Sequence, residues 1–297
     1  MAWTSAPPAS GSRSSFFLNG GRHARWLCSY LLAAALFGYL ASGFSADAAP
    51  AGKCPPIAGL PDKPSVRFLL FGEIHGTNET PEFFGDVVCA LSRDHDLVVA
   101  LELDVLDQAA TDAFLRSRGS ESDVHALLSA PGWRSPVQDG RTSLAMFKLL
   151  DRIRQLGSGA IKVVHFKARS ASPDLPQDYY AVRMAGNLAS IADTYPKSLI
   201  LGLMGNVHMR KGPMDFGSMQ ILPAASHLPS EDVLSFDQDG RGVAWNCWTD
   251  CGVHPVTGNE PKARSITLVA GRKDIDGTFS VGRRYTASPP GFKVAPN

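Results

Sequence analysis

Between residues 65 and 212 the chain alternates short apolar runs with amphipathic stretches, and this alternation restricts its possible folds more than any other feature. Four runs have the length and apolar character of buried strands: "SVRFLLF", "LVVALEL", "IKVVHF" and "SLILGLM". The stretches between them, such as "LAMFKLLDRIRQL", repeat apolar residues at helical spacing. Strands that alternate with helices predict an α/β fold, with a mostly parallel central sheet flanked by helices and joined by right-handed crossovers.

After Gly212 the pattern changes. The stretch "DFGSMQILPAASHL" is interpreted as one more helix, broken at Pro223. Three short runs separated by glycine turns predict antiparallel edge strands at the C-terminal end: "VLSFD", "GVAWNCW" and "SITLV". No linker is long enough to divide the chain, so residues 49–297 are predicted to form a single α/β domain.

The first 48 residues have the pattern of a secretory signal peptide. Three arginines precede the apolar run from Trp26 to Phe44, and the small-x-small sequence Ala46-Asp47-Ala48 follows it. At 19 residues this run is also long enough to stay in the membrane as an anchor. We therefore expect a secreted or periplasmic protein, which contacts a membrane only if the leader is retained.

The charge balance bears on the class of partner. The formal net charge is +1, and no run of lysines or arginines occurs outside the leader. This excludes the basic footprint of a nucleic-acid-binding protein. The predicted partners are a small-molecule or peptide substrate and, as an open possibility, a second copy of the chain in a homodimer.

Four cysteines lie beyond the leader, and export would place them in an oxidising compartment where disulfides persist. Of the three possible pairings, we favour Cys54–Cys89 together with Cys247–Cys251, since the latter two are close in sequence. The alternative is a zinc site in "CWTDCGVH", formed by Cys247, Cys251 and His254.

Polar side chains follow each of the four predicted parallel strands, at the sheet edge where α/β proteins bind ligands. In chain order these residues are Glu73 and His75, Glu102 and Asp104, His165, and Asn206 and His208. Two of the three Gly-x-x-His motifs in the sequence lie at these strand ends, whereas the third, Gly20 to His23, lies in the leader. Position rather than the motif itself indicates a functional site.

Two imidazoles and a carboxylate are a ligand set suited to a divalent transition metal such as Mn, Co, Zn or Fe. The predicted ligands are His75, Glu102 and His208, with Glu73 as the general base that takes a proton from water. In a metal-free alternative, Glu73 and His75 activate the water directly. The sequence leaves both routes open.

Further residues are predicted to surround this set. Arg141 in "DGRTS" precedes a helix and is placed to hold an anion or a carbonyl oxygen. It is grouped with His165, Asn206 and Arg210 as a substrate contact. Asp104 and Arg183 are predicted to orient the carboxylates.

Several of these motifs resemble a known superfamily. "FGEIHGTNETP", "ALELD", "DGRTS", "RMAGN" and "MGNVHMRKG" are similar to the superfamily that joins Tiki-type metalloproteases, erythromycin esterases and ChaN-like haem-uptake lipoproteins. The resemblance covers about residues 65 to 212 and implies that Glu73, His75, Glu102 and His208 line the site. Erythromycin esterases place one more residue between the glutamate and histidine of the first motif, so "GEIH" has the spacing of the ChaN and Tiki forms.

Two functions follow as hypotheses. The first is an exported hydrolase, metal-assisted or metal-free, in which activated water attacks an ester or peptide carbonyl. The second, implied by the ChaN-like resemblance, is a protein that binds haem or another iron ligand without catalysis. The presence of both histidines together with Glu102 favours the hydrolase, because haem binding does not require all three residues.

Overall fold

The computed structural model describes residues 54–62, 64–157, 159–168, 177–216, 219–247 and 250–294. These residues belong to one compact unit, Ala49–Asn297. The predicted signal peptide, residues 1–48, lies outside the described residues. Within the described ranges, no helix combines the length and the apolar character needed to cross a bilayer.

Eleven strands and five α-helices make up the described part of the chain. The strands are β1 Phe68–Glu73, β2 Leu97–Asp104, β3 Ile161–Lys167, β4 Leu199–Gly205, β5 Met214–Phe216, β6 Met219–Ile221, β7 Val233–Gln238, β8 Gly242–Cys247, β9 Cys251–Val256, β10 Ser265–Leu268 and β11 Gly277–Ser280. The helices are α1 Glu79–Leu91, α2 Gln108–Arg116, α3 Glu121–Leu128, α4 Leu144–Leu156 and α5 Gln177–Thr194.

Seven strands form one sheet in the order β10-β11-β7-β1-β4-β2-β3. All neighbouring pairs are parallel except β10 and β11, which pair antiparallel at one edge. The predicted fold class, a mostly parallel sheet with helices and short antiparallel strands at the C-terminal edge, is therefore confirmed. Two strand pairs, β5 with β6 and β8 with β9, form separate antiparallel hairpins.

Two predictions for the C-terminal part are wrong. The run "VLSFD" is not an antiparallel edge strand, because it forms β7, which pairs parallel with β1 inside the sheet. The apolar residues of β7 allow this burial, since a strand covered on both faces does not need polar alternation. The predicted helix "DFGSMQILPAASHL" is instead the β5–β6 hairpin followed by a short 3-10 helix, Ala224–His227.

Two apolar layers enclose the sheet and fix its strand ends. On one face, the sheet packs against helices α1 to α4 through residues such as Phe71, Phe84 and Leu149. On the other face, α5 covers the sheet through Met184 and Leu188. Strands β1 and β4 are buried over their whole length, as expected for central parallel strands. The carboxyl ends of the central strands are thus held at one rigid edge.

Both predicted disulfides are present. The sulfur atoms of Cys54 and Cys89 are 1.89 Å apart, and those of Cys247 and Cys251 are 1.96 Å apart. The first bond ties the segment before β1 to α1, and the second closes the β8–β9 hairpin. The alternative zinc site is wrong, since a disulfide leaves neither Cys247 nor Cys251 as a thiolate ligand.

The C-terminal segment, residues 285–291, is not a loose tail. Ser288 donates its N–H to the carbonyl of Gly76, and Gly291 donates to the carbonyl of Thr142. The buried carboxylate of Glu79 accepts from the backbone and the hydroxyl of Thr286. This segment therefore joins the loop after β1 to the start of α4, the two places that carry His75 and Arg141.

Candidate functional site

Glu73 and His75 are in direct contact at the end of β1. The Nδ1 atom of His75 is 2.9 Å from Oε1 of Glu73, which is 3% exposed. The second oxygen of Glu73, Oε2, is buried and has no hydrogen-bond partner among the described residues. The Nε2 atom of His75 is 3.7 Å from Oε2 of Glu102. One imidazole thus lies between two carboxylates, and one carboxylate oxygen is available to a water molecule.

Glu102 lies in a bulge of β2. Leu101 pairs with His165 of β3 and Asp104 with Lys167, so β2 contains one residue more than its partner over this span. Bulges of this kind re-aim side chains next to functional sites. Here Glu102 is directed at the backbone N–H of Gly205, which donates to Oε2 at 2.7 Å. Both carboxylate oxygens are engaged, because Nη1 of Arg141 donates to Oε1 at 2.5 Å.

Arg141 is held on two sides. Besides Glu102, its guanidinium binds both carboxylate oxygens of Asp139. The hydroxyl oxygen of Tyr180 accepts from Nη1 at 3.4 Å. Burial alone would raise the pKa of Glu102, but the charges of Arg141, His208 and His75 outweigh it and lower the pKa to about 2. Glu102 is therefore ionised at neutral pH.

His208, at the start of the loop after β4, completes the group. Its ring centroid is 5.5 Å from that of Tyr180, and its Nδ1 is buried without a partner among the described residues. A Cβ atom placed on Gly205 would lie 3.2 Å from Nε2 of His75, 3.5 Å from Oε2 of Glu102 and 3.6 Å from Cδ2 of His208. The absence of a side chain at Gly205 thus leaves a space that these three side chains face.

The two histidines differ in charge preference. For His75, burial lowers the pKa, but the hydrogen bond to Glu73 and the charges of Glu102 and Glu73 outweigh burial, so the pKa is raised. For His208, burial prevails and lowers the pKa, with the charge of His75 acting in the same direction. The protonated form is favoured at His75 and the neutral form at His208.

The structure brings five of the predicted residues together: Glu73, His75, Glu102, Arg141 and His208. Other predicted residues contact different partners. Arg210 forms ion pairs with Asp237 and Asp274, and Asn206 bonds to the same Asp237 carboxylate. The side chains of Arg210 and Asn206 thus connect the loop after β4 to β7, across the end of β1.

The remaining predicted residues also have other contacts. His165 is buried, and its Nδ1 is 2.9 Å from the backbone oxygen of Asp104. The carboxylate of Asp104 caps the following 3-10 turn by accepting from the N–H of Leu106. Arg183 is exposed and lies over the ring of Tyr179, with 6.0 Å between the guanidinium carbon and the ring centroid. No contact of Arg183 with a site carboxylate is seen among the described residues.

Three residues near the site were missed by sequence reasoning. Asp139 holds Arg141, and its place two residues before the arginine is a signal that could have been used. Tyr180 belongs to a helix whose sequence favours packing over ligand contact for this side chain. Lys167, at the end of β3, lines a cavity of about 230 Å³ together with Glu102, Asp104, Asp139 and Arg141. Burial and then the charge of Arg141 lower the pKa of Lys167.

The loops around the site are fixed by close backbone packing. Gly76 and Gly140 have φ angles of 78° and 96°, and a Cβ on either would lie within 2.5 Å of the backbone oxygen of Trp245. Only glycine accommodates both the positive φ and this approach. The N–H of the Trp245 indole also donates to the carbonyl of Gln138 at 2.9 Å. The β8–β9 hairpin therefore supports both site loops from outside.

The predicted metal ligands, His75, Glu102 and His208, lie close to one another at the ends of β1, β2 and β4. Across the described ranges, no group of three or more His, Cys, Asp or Glu side chains is arranged to hold a metal ion. Arg141 and the N–H of Gly205 each donate to one oxygen of Glu102, so a metal would have to share these oxygens with both donors. The metal stays a prediction.

No protein-family model matches the chain, and no curated protein matches it in sequence. Among solved structures, it is similar to a mutant of the erythromycin esterase EreC in its open conformation, with a TM-score of 0.46 and 10% identity over 76% of this chain and 88% of that one. The chain is also similar to a succinoglycan biosynthesis protein, with a TM-score of 0.46 and 10% identity over 75% of this chain and 89% of that one. Its similarity to the type III effector HopBA1 has a TM-score of 0.41, with 16% identity over 66% of this chain and 88% of that one. Likeness at these scores does not assign the chain to a family.

Proposed function

We propose that this protein is a hydrolase in which Glu73 and His75 activate water for attack on an ester or peptide carbonyl. The observation that carries the proposal is the buried, unpartnered Oε2 of Glu73, whose other oxygen is bonded to His75. A buried carboxylate oxygen without a partner is costly unless a water or substrate satisfies it. At Gly205 a single added carbon would lie within 3.6 Å of His75, Glu102 and His208, so a small group that enters between these side chains is contacted by all three.

The side chains suit distinct steps of hydrolysis. Glu73 takes a proton from water through Oε2, and the water oxygen forms a bond to the carbonyl carbon. The raised pKa of His75 favours its protonated form, whose Nε2–H can donate to the leaving oxygen or nitrogen as the carbonyl bond to that atom breaks. The products are a carboxylic acid and an alcohol or amine, and the proton on Glu73 returns to His75. Arg141 keeps Glu102 ionised beside the imidazolium.

A divalent metal stays a prediction, and no step above requires one. The sequence motifs support a distant relationship to the Tiki, erythromycin esterase and ChaN superfamily. Haem binding also stays a prediction, but the buried carboxyl groups of Glu73 and Glu102 and the partly buried guanidinium of Arg141 do not provide the apolar surface that a porphyrin needs. Both disulfides support folding in an oxidising compartment, in keeping with the predicted export. The substrate and a second copy of the chain remain predicted partners.

The experiment is a panel of esters and peptides, assayed with a chelator and separately with added manganese, cobalt or zinc. Glu73→Gln keeps the shape of the side chain but removes the base, so we expect a loss of about 10²–10⁴-fold in rate. Glu82→Gln on α1 is the matched control, because Glu82 is 56% exposed and pairs only with Arg283 among the described residues. Activity that survives the chelator favours the metal-free route. Turnover under no condition, with a Soret band on haem titration, would favour the binding protein instead.

A further inference from the structure

We propose that the hydroxyl of Tyr180 donates a hydrogen bond to the carbonyl oxygen of the substrate as that oxygen gains negative charge. The proposal rests on the hydrolase function proposed above and adds a residue to its site. Donors aimed at a developing oxyanion are among the largest contributors to acyl transfer. The question is which group supplies such a donor here.

Arg141, the residue that the sequence predicted for this role, is already engaged. Its Nη1 donates to Glu102 and to Tyr180, while its Nε and Nη2 donate to Asp139. A guanidinium has five N–H groups, and these four bonds leave at most one of them for a substrate. The charge of Arg141 is also balanced by two carboxylates. Its role is to hold Glu102 and Tyr180 rather than to bind the oxyanion.

Tyr180 carries a hydroxyl donor that is not tied to a carboxylate. Its oxygen accepts from Arg141, and its own hydroxyl proton has no acceptor among the described residues. The ring lies against His208, with centroids 5.5 Å apart, so the phenol belongs to the group of side chains around Gly205. A tyrosine hydroxyl, with an ordinary pKa of about 10, carries its proton at neutral pH and can donate a hydrogen bond.

The neighbouring tyrosine provides a contrast. Tyr179 is 41% exposed and lies beside Arg183, and no described residue of the site contacts it. Tyr179→Phe and Tyr180→Phe remove the same oxygen from adjacent positions of α5. The first variant therefore controls for the effect of the chemical change on the helix.

The experiment measures both catalysis and binding in the purified protein. Ester and peptide hydrolysis give kcat and KM, and calorimetry gives the affinity for an alkylphosphonate monoester, a stable mimic of the charged tetrahedral intermediate. A neutral amide with the same alkyl group is the second probe. For Tyr180→Phe we expect kcat to fall by about 10²–10³-fold with KM changed by less than about threefold. The affinity of Tyr180→Phe for the phosphonate should fall, while its affinity for the amide should stay unchanged. The kinetic constants and both affinities of Tyr179→Phe should equal those of the parent protein.

The outcomes separate the two proposals. An active parent with Tyr180→Phe within about threefold of Tyr179→Phe overturns the role of Tyr180 and leaves the hydrolase intact. Equal weakening of phosphonate and amide binding also overturns it, because a packing role affects both probes alike. A parent that hydrolyses nothing, yet binds the phosphonate through Tyr180, refutes the hydrolase and retains the anion donor. A parent that does not bind the phosphonate overturns the donor role outright.

Discussion

The guanidinium of Arg141 and the carboxylate of Glu102 form a buried ion pair, with Nη1 2.5 Å from Oε1. Arg141→Ala would remove the guanidinium that pairs with Glu102, a carboxylate that is only 2% exposed. We expect the free energy of unfolding to fall by about 3–5 kcal/mol, measured by urea denaturation. Arg183→Ala, which removes an exposed guanidinium, should change the free energy of unfolding by less than about 0.5 kcal/mol. Equal losses in the two variants would contradict this role for Arg141.

The same pair makes stability depend on pH. Because the folded pKa of Glu102 is lowered from 4.5 to about 2, its contribution to stability is present above the unfolded value and is lost as the pH falls through the folded one. The shift corresponds to a contribution on the order of 3 kcal/mol, lost between about pH 5 and pH 2. Urea denaturation at a series of pH values measures the loss. In Glu102→Gln this loss of stability at low pH should be absent. If the variant loses the same stability over the same pH range, Glu102 is not the group responsible.

Gly205 is expected to be required for function rather than for folding. In Gly205→Ala the added methyl would occupy the space between His75, Glu102 and His208, at 3.2 Å from Nε2 of His75. We expect hydrolysis to fall by up to about 10²-fold, because the methyl group takes the place of a reacting group and displaces Nε2 of His75 by a few tenths of an ångström. Gly186→Ala on α5, where a Cβ meets nothing within 4 Å, is the control and should raise thermal stability slightly. A fully active Gly205→Ala enzyme would place the chemistry elsewhere.

The two disulfides should contribute unequally to stability. Cys54 and Cys89 are 35 residues apart, whereas Cys247 and Cys251 are 4 apart. Loop-closure entropy then gives about 4 kcal/mol for the first bond and about 2 kcal/mol for the second. Paired serine substitutions at each bond, compared by urea denaturation, measure the two losses. A larger loss from the short loop would show that strain or hairpin packing outweighs chain entropy.

The sequence predicts much of the site because parallel strands bring their carboxyl ends to one edge. This rule, applied to the ends of β1, β2 and β4, is sufficient to bring Glu73, Glu102 and His208 together. It does not specify to which side of the edge each side chain turns, and Arg210 turns towards Asp237 and Asp274. The position of Tyr180 depends on how α5 packs, which the apolar spacing of that helix does not determine. The run "VLSFD" predicts an edge strand because it is short and lies among glycine turns, whereas β7 has six residues, as many as the central strand β1.

The hydrogen bonds of Ser288 and Gly291 to the loops at Gly76 and Thr142 have a consequence for synthesis of the protein on the ribosome. The sheet can form from strands made earlier, but the contacts of Ser288 and Gly291 with the loops that carry His75 and Arg141 form only after translation has reached the far end of the domain. A nascent chain therefore lacks this part of the support of the proposed site until the last stage of its production.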